Sequence, residues 1–384
     1  MALSYPRILI SAGEHSGDMF GARLASALKQ LRPDVRLSGL GGPQMRAAGV
    51  RLLADTAGHA GMGFLYPLLH LNDWARVYRR CIRELNHEPP DVFVPIDNPG
   101  FNLRLSDLVT ERRIPICYYV SPQVWAWHSS RIHKIAKLVS HMMVLLPFEK
   151  PLYDSVGVDC TFVGHPLLDY MPEREMHQDA LADIERNGDN VVGILPGSRR
   201  QEVLHTFPLI CDAAARIRQQ RPETIFHVAA AAQEHAPMIE RIVASRHLSV
   251  TIHVGRTPEI MKASRLCLAV SGTATLETAY YQTPMVVVYR ATAFGRHIVP
   301  RLLQVPYICL VNIIAEREVV PEFLMFDDNA APIAKAALNL LNDAEAWERC
   351  REGLREVIAA MGPRGTSKRA AQIVLEHTEP SKGN

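Results

Sequence analysis

No stretch of the 384-residue sequence comes near the roughly 20 consecutive apolar residues of a spanning helix. The chain is therefore expected to be soluble or to lie on a membrane, not to cross one. The opening residues lack the n-region and h-region of a secretory signal. Charge of one sign is also scarce: 42 basic residues stand against 40 acidic ones, a net +2. A protein that lives on nucleic acid needs a marked basic excess, so nucleic acid is not an expected partner. The seven cysteines stand singly, with no Cys-x-x-Cys pair. That predicts reduced, mostly buried thiols in a cytosolic protein. No Asp-x-Asp and no His-Glu-x-x-His occurs, so a divalent metal is not demanded. No Gly-x-Gly-x-x-Gly occurs either, which weakens a dehydrogenase reading.

What is present is a repeated strand-to-glycine rhythm. In ILISAGEHSGD, residues 8–18, a short apolar run stops at Ala12-Gly13 and gives way to small and polar residues. An amphipathic pattern follows at Phe20, Leu24, Ala27, Leu28 and Leu31. This is strand, turn, helix, and a ligand of such a domain sits at the carboxyl ends of the strands. Further strand patterns fall at 36–40, 92–96, 116–120, 141–145 and 161–163. A second series follows at 190–195, 225–230, 250–253, 266–270 and 285–289, again with helices between. The alternation predicts parallel sheets with crossover helices, twice over. The charged stretch 172–188 reads as linker. The expected division is residues 1–170, 171–350 and a helical segment 351–384 that can return to the first domain. Two Rossmann-like α/β domains would face one another across a cleft where substrates meet.

Two loops of the second half suit a nucleotide. In VVGILPGSRRQEV, residues 191–203, Gly197, Ser198 and Arg199 follow a strand and precede a helix. Free N–H groups at the helix start favour an anion, and Arg199 adds a bidentate phosphate donor. An ordinary turn with a solvated Arg pair is the plain alternative. In SGTATLE, residues 271–277, Ser271, Gly272 and Thr273 form the turn. Glu277, one helical turn inside, can accept both hydroxyls of a ribose. Equally, Ser271 or Thr273 can simply cap the helix, with Glu277 as an acid favoured by its dipole.

The first half suits an acceptor. Asp97 stands just past a buried strand, before the turn Asn98-Pro99-Gly100, and is placed to act as a general base. A helix cap is the alternative, and Glu14 in the first loop is the rival carboxylate. In YYVSPQVWAWHSSRIHKI, residues 118–135, Gln123, Arg131 and Lys134 cluster around Trp125 and Trp127. They can line an apolar acceptor pocket, or the tryptophans can be packing residues. His165 reads as a hinge or cleft residue. Residues 62–74 are more apolar than a loop needs, and Arg76, Arg79, Arg80 and Arg83 share one helical face. A core segment beside a solvated face explains this pattern; so does contact with anionic lipid.

Together these segments resemble the lipid-A-disaccharide synthases, inverting glycosyltransferases of the two-domain GT-B fold. The matching signatures are AGEHSGD (12–18), GGPQMRAAG (41–49), MGF (62–64), PDVFVPIDNPGFN (90–102) and YYVSPQVWAW (118–127). LPFEKPLYD (146–154), FVGHPLLD (162–169), LPGSRRQEV (195–203), SGTATLE (271–277) and PMVVVYR (284–290) continue them in family order. The resemblance implies that UDP-2,3-diacylglucosamine is joined to 2,3-diacylglucosamine 1-phosphate (lipid X). The products would be a β-1,6-linked lipid A disaccharide 1-phosphate and UDP, with no cofactor and no metal. It implies Asp97 as general base and Glu14 as a residue needed for activity. It assigns UDP to Gly197, Ser198, Arg199, Ser271, Gly272, Thr273, Glu277 and Asn312, and the acceptor to Ser16, Asn98, Ser121, Gln123, Trp125 and Arg131. It implies a cytoplasmic enzyme held peripherally on the inner membrane through Met62, Phe64, Leu65, Leu68 and Leu69, with Arg76, Arg79 and Arg80 beside them. A homo-oligomer is left open. The chain departs from the family pattern at His15, at Tyr66-Pro67 and at Met325. Another UDP-sugar glycosyltransferase, a sugar-nucleotide 2-epimerase, or a non-catalytic membrane-binding relative are the competing readings.

Overall fold

The computed structural model describes residues 5–56, 71–126, 129–291 and 306–378. The chain forms two units. The first comprises Met1–Asp169 and Met361–Asn384, the second Tyr170–Ala360.

The first unit holds a seven-stranded sheet. Its strands are β1 (Arg7–Ala12), β2 (Arg36–Gly41), β3 (Arg51–Asp55), β4 (Val92–Ile96), β5 (Cys117–Tyr119), β6 (His141–Val144) and β7 (Cys160–Phe162). Their order is β3-β2-β1-β4-β5-β6-β7, and every pairing is parallel. Helices cover both faces, so the central strands β1 and β4 are near-continuous apolar runs with no polar side. Side-chain alternation divides the core in two. Ile8, Ile10, Val94 and Ile96 pack on one face with Leu24, Leu28 and Val374. Leu9 and Phe93 pack on the other with Leu105, Tyr118, Met142 and Tyr153.

The second unit holds six parallel strands: β8 (Val191–Leu195), β9 (Ile225–Ala230), β10 (Thr251–Val254), β11 (Leu266–Val270), β12 (Met285–Arg290) and β13 (Glu322–Met325). Their order is β10-β9-β8-β11-β12-β13. Sequence patterning misses β3 and β13. Both are short edge strands, mostly half-buried and opened by a charged residue, Arg51 or Glu322, so neither carries a long apolar run.

The strand order decides where a ligand fits. In the first sheet the winding direction reverses between β1 and β4; in the second, between β8 and β11. Ligands of open α/β sheets bind beyond the carboxyl ends of the strands at such reversals. The four loops that follow these strands carry Glu14, Asp97, Ser198-Arg199 and Gly272.

The terminal segment 351–384 is divided rather than continuous. The helix Ala344–Ala360 belongs to the second unit, and the chain re-enters the first at Met361. Gly362 and Gly365, both with positive φ, break the helical course. A Cβ at Gly362 would lie 3.1 Å from the Phe162 ring, so close packing also requires glycine there. The helix Thr366–Glu376 then lies beside His15–Leu31, burying Ala370, Ala371 and Val374. All seven cysteines are buried and unpaired. Among the described residues no helix is long and apolar enough to cross a membrane.

Candidate active site

β1 ends at Ala12, and Gly13 passes against the side chain of Asn98 so closely that no Cβ fits. The loops after β1 and β4 therefore touch. Glu14 is the exposed N-cap residue of the helix His15–Leu31 and makes no side-chain capping bond there. Ser16 lies in the first turn of that helix, half-buried. Asp97 and Asn98 both adopt φ of 44°. Consecutive left-handed residues that are not glycine are uncommon and cluster at functional sites. Asp97 is not the helix cap: Asn98 holds that position before Pro99–Glu111, again without a side-chain bond. Burial pushes the Asp97 carboxyl up to about 6, and the Glu14 charge adds to the rise. The Asn98 backbone N–H opposes it.

Sequence reasoning assigned no role to four side chains that hold this corner and the helix beside it. Asn102 Nδ2 donates to the carbonyls of Asp97 (2.7 Å), Ile96 (3.2 Å) and Ser11 (3.3 Å), and Ser11 Oγ donates to Asn102 Oδ1 (2.6 Å). The Tyr118 hydroxyl donates to the Asp97 carbonyl at 2.7 Å. Asp18, fully buried, accepts the backbone N–H groups of Gly42, Gln44 and Met45 and so ties the first helix to the turn after β2. Asp18, Asn102 and Tyr118 all stand inside family signatures.

The loops after β5 and β6 are knit by a second buried carboxyl. Glu149 accepts from Trp125 Nε1 (3.1 Å) and from the Leu146 N–H (3.1 Å). Trp125 also meets the Phe148 ring edge-on at 5.3 Å. Ser121 is buried and shares a 2.7 Å hydrogen bond with the Tyr153 hydroxyl. Ser121 and Trp125 are thus committed to the protein, whereas Gln123 is exposed and Arg131 half-buried. Lys134 pairs with Asp107 at 2.8 Å. His165 is buried, its Nδ1 accepts the Leu167 N–H, and burial pushes its pKa down to about 4. Trp127, Met62, Phe64, Leu65, Leu68 and Leu69 lie outside the described residues. Arg76, Arg79, Arg80 and Arg83 are all exposed.

Burial pushes Glu149 from an ordinary 4.5 up to about 7, opposed by its hydrogen bonds from Leu146, Trp125, Ser121 and Leu145. A carboxyl with a raised folded pKa binds its proton more tightly when folded, so its contribution to stability is lost as pH rises through that interval. Glu149→Gln should therefore flatten the fall in stability between about pH 4.5 and about pH 7, measured by denaturant unfolding at each pH. An unchanged slope would show that Glu149 is not the titrating group.

In the second unit the Gly197–Arg199 loop is occupied from within, which corrects the expectation of free N–H groups. Glu202 Oε2 accepts the N–H groups of Ser198 (3.0 Å) and Arg199 (3.1 Å), the carboxylate half of a capping box at the start of the helix Arg200–His205. Gly197, with φ of 102°, is required by this carboxylate: a Cβ there would lie 2.6 Å from Glu202 Oε2. The Arg199 guanidinium also touches Glu202 at 3.3 Å, yet its side chain stays 63% exposed.

The loop after β11 differs. Gly272 is the N-cap of the helix Thr273–Tyr280 and no side chain caps it, so neither Ser271 nor Thr273 is the cap. A Cβ at Gly272 would meet nothing within 4 Å, so the space over this helix start is open. Glu277 lies in the helix's second turn. Its Oε1 accepts the Tyr170 hydroxyl (3.0 Å) and its Oε2 pairs with Arg174 (2.7 Å), two donors absent from the sequence reading. Asn312 is fully buried and its amide is saturated. It accepts the N–H groups of Val319 and Val320 and donates to the Val320 carbonyl and Glu322. Its side chain braces the helix Leu310–Ala315 and has no capacity left for a nucleotide.

A family model for lipid-A-disaccharide synthetase matches residues 8–376. This chain belongs to that family. It is 38% identical over 371 residues to the lipid-A-disaccharide synthase of Geobacter sulfurreducens, covering 96% of this chain and 97% of the relative. It is 37% identical over 391 residues to the synthase of Trichlorobacter lovleyi, covering 99% and 100%. Among solved structures it is similar to the UDP-GlcNAc 2-epimerase of Neisseria meningitidis, with TM-score 0.60 and 11% identity over 97% of this chain and 99% of that one. It is also similar to the kitacinnamycin glycosyltransferase, with TM-score 0.62 and 15% identity over 98% and 100%. The fold is that of the GT-B glycosyltransferases and their epimerase relatives, and the family makes this chain a glycosyltransferase of lipid A biosynthesis.

Proposed function

We propose that the chain transfers 2,3-diacylglucosamine from its UDP ester to the 6-hydroxyl of 2,3-diacylglucosamine 1-phosphate, with Asp97 as general base. One observation supports this reading most: a carboxylate at the strand-order reversal, on left-handed backbone, with a pKa near 6. Such a group is largely ionised at neutral pH yet basic enough to take a proton. Inversion requires one displacement. The acceptor oxygen, losing its proton to Asp97, forms a bond to the sugar C1 as the bond from C1 to UDP breaks. The charge on departing UDP is met by Arg199 and by the open start of the helix Thr273–Tyr280. Glu277 receives the ribose hydroxyls. Glu14 raises the basicity of Asp97 through its charge. Ser16, Asn98, Gln123 and Arg131 form the acceptor side.

Incubation with both diacylated sugars, followed by mass analysis, should yield the disaccharide 1-phosphate and UDP. Absence of product from folded enzyme would overturn the reading. Arg199→Ala should weaken UDP binding by about 10-fold or more, since a hydrogen bond to a charged group contributes about 1.5–3 kcal/mol. Calorimetric titration with UDP checks this, and unchanged affinity would remove Arg199 from the site.

Residues 62–74 and the arginine face after them are the membrane contact. An arginine near an anionic surface contributes about 1 kcal/mol. Replacing Arg76, Arg79 and Arg80 together by Gln should lower partition onto anionic vesicles by about 10–100-fold at low salt. Equal flotation of the variant would place the contact elsewhere.

A further inference from the structure

The geometry points to Asn102 and Tyr118 as positioning residues that clamp the Asp97 carbonyl between two buried donors and thereby aim its carboxylate at the acceptor hydroxyl. The inference rests on Asp97 being the base.

Aspartate and asparagine visit the left-handed region singly, and here two in succession hold φ of 44°. Two successive residues in that region persist only where their surroundings over-determine them. Here the determinants are identifiable. The Asp97 carbonyl receives Asn102 Nδ2 at 2.7 Å from one side of the chain and the Tyr118 hydroxyl at 2.7 Å from the neighbouring strand β5. Both donors are themselves fixed. Asn102 is fully buried one turn into the helix Pro99–Glu111, and its Oδ1 accepts Ser11 Oγ at 2.6 Å. Its Nδ2 also reaches the carbonyls of Ser11 and Ile96, at the carboxyl ends of β1 and β4. One side chain therefore joins the two strands that flank the winding reversal to the peptide that carries the base. Tyr118 is fully buried, and burial together with the Asp97 charge keeps its phenol well above its ordinary pKa. It remains a hydrogen-bond donor across the working range.

The consequence is catalytic rather than merely structural. A peptide plane held by two hydrogen bonds to its oxygen cannot rotate, so the Cα–Cβ bond of Asp97 has one direction. Half-buried, the carboxyl keeps its raised basicity because the loop cannot swing it into water. Loosening the clamp does two things at once. It misplaces the base, and misplacement by about 1 Å costs on the order of 10²-fold in rate. It also rehydrates the carboxyl, which returns its pKa toward the ordinary carboxylate range.

Two variants test this. Tyr118→Phe removes one hydroxyl and preserves shape; Asn102→Ala removes the amide. Each is compared with Asp97→Asn in steady-state kinetics over pH, UDP titration and thermal unfolding. Tyr118→Phe should lower kcat by about 3–10-fold and Asn102→Ala by about 10–100-fold. KM for both sugars and UDP affinity should stay within about 3-fold, because the clamp touches no substrate. The acid limb of kcat should move to lower pH in both. Folded Tyr118→Phe and Asn102→Ala enzymes with unchanged kcat and acid limb, beside an inactive Asp97→Asn, would overturn the clamp and spare the base. A fall in melting temperature with KM and kcat changed together and the acid limb unmoved would reduce both residues to structural ones. An active Asp97→Asn would remove the base and the clamp together.

Discussion

Asp97→Asn is expected to lower turnover by about 10²–10⁴-fold, the usual contribution of general-base catalysis, while UDP binds as before. The substitution keeps the size and most of the hydrogen bonding of the side chain, so the loss would be chemical. Its sign with pH follows from the raised pKa. A base works only when ionised, so the native rate should fall as pH drops through about 6 and level off above it. The residual rate of the variant should lack that limb. Removing the Glu14 charge by Glu14→Gln should move the limb to lower pH, because that charge is one source of the rise. Stability moves the other way. The half-buried Asp97 carboxylate is harder to hold ionised when folded than unfolded, so its contribution to stability declines as pH rises through about 6. The neutral Asp97→Asn protein should melt no lower than the native one near neutral pH. Turnover within a few-fold of native would reject Asp97 as the base.

Glu277→Gln is expected to raise the dissociation constant of UDP by about 10–100-fold, since hydrogen bonds to a charged partner contribute about 1.5–3 kcal/mol. The carboxylate has room for this task. Tyr170 and Arg174 take one site on each oxygen, and an ionised carboxylate offers about four. Arg174 also fixes the carboxylate's direction. The diagnostic measurement is discrimination: native enzyme should prefer UDP to 2′-deoxy-UDP, and the variant should bind the two more nearly alike. Equal UDP affinity in both proteins would assign Glu277 to its Arg174 pair alone.

Much of this site is visible along the chain, because a strand that ends in a glycine turn before a helix is a local pattern. Arg199 stands in such a turn, Asp97 stands between a buried strand and a helix that opens on Pro99-Gly100, and Glu277 lies a little further into its helix. The occupants of the turns are not visible in the same way. Gly197 reads as room for a ligand, yet it makes room for Glu202. Asn312 reads as a nucleotide contact through family resemblance, yet its amide is used up on Val319, Val320 and Glu322. Ser121 and Trp125 read as pocket wall, yet their polar atoms are spent on Tyr153 and Glu149. In each case a residue with a free donor or acceptor in the sequence has found a partner in the fold.

By itself the sequence determined the α/β class, the family and the placing of acids and arginines at strand ends, because hydrophobic period and turn chemistry act over a few residues. Only the tertiary structure decided which polar groups remain available and how basic Asp97 is. Those properties depend on neighbours such as Ser11 for Asn102 and Tyr170 for Glu277, separated by 91 and 107 residues and brought together only by the fold.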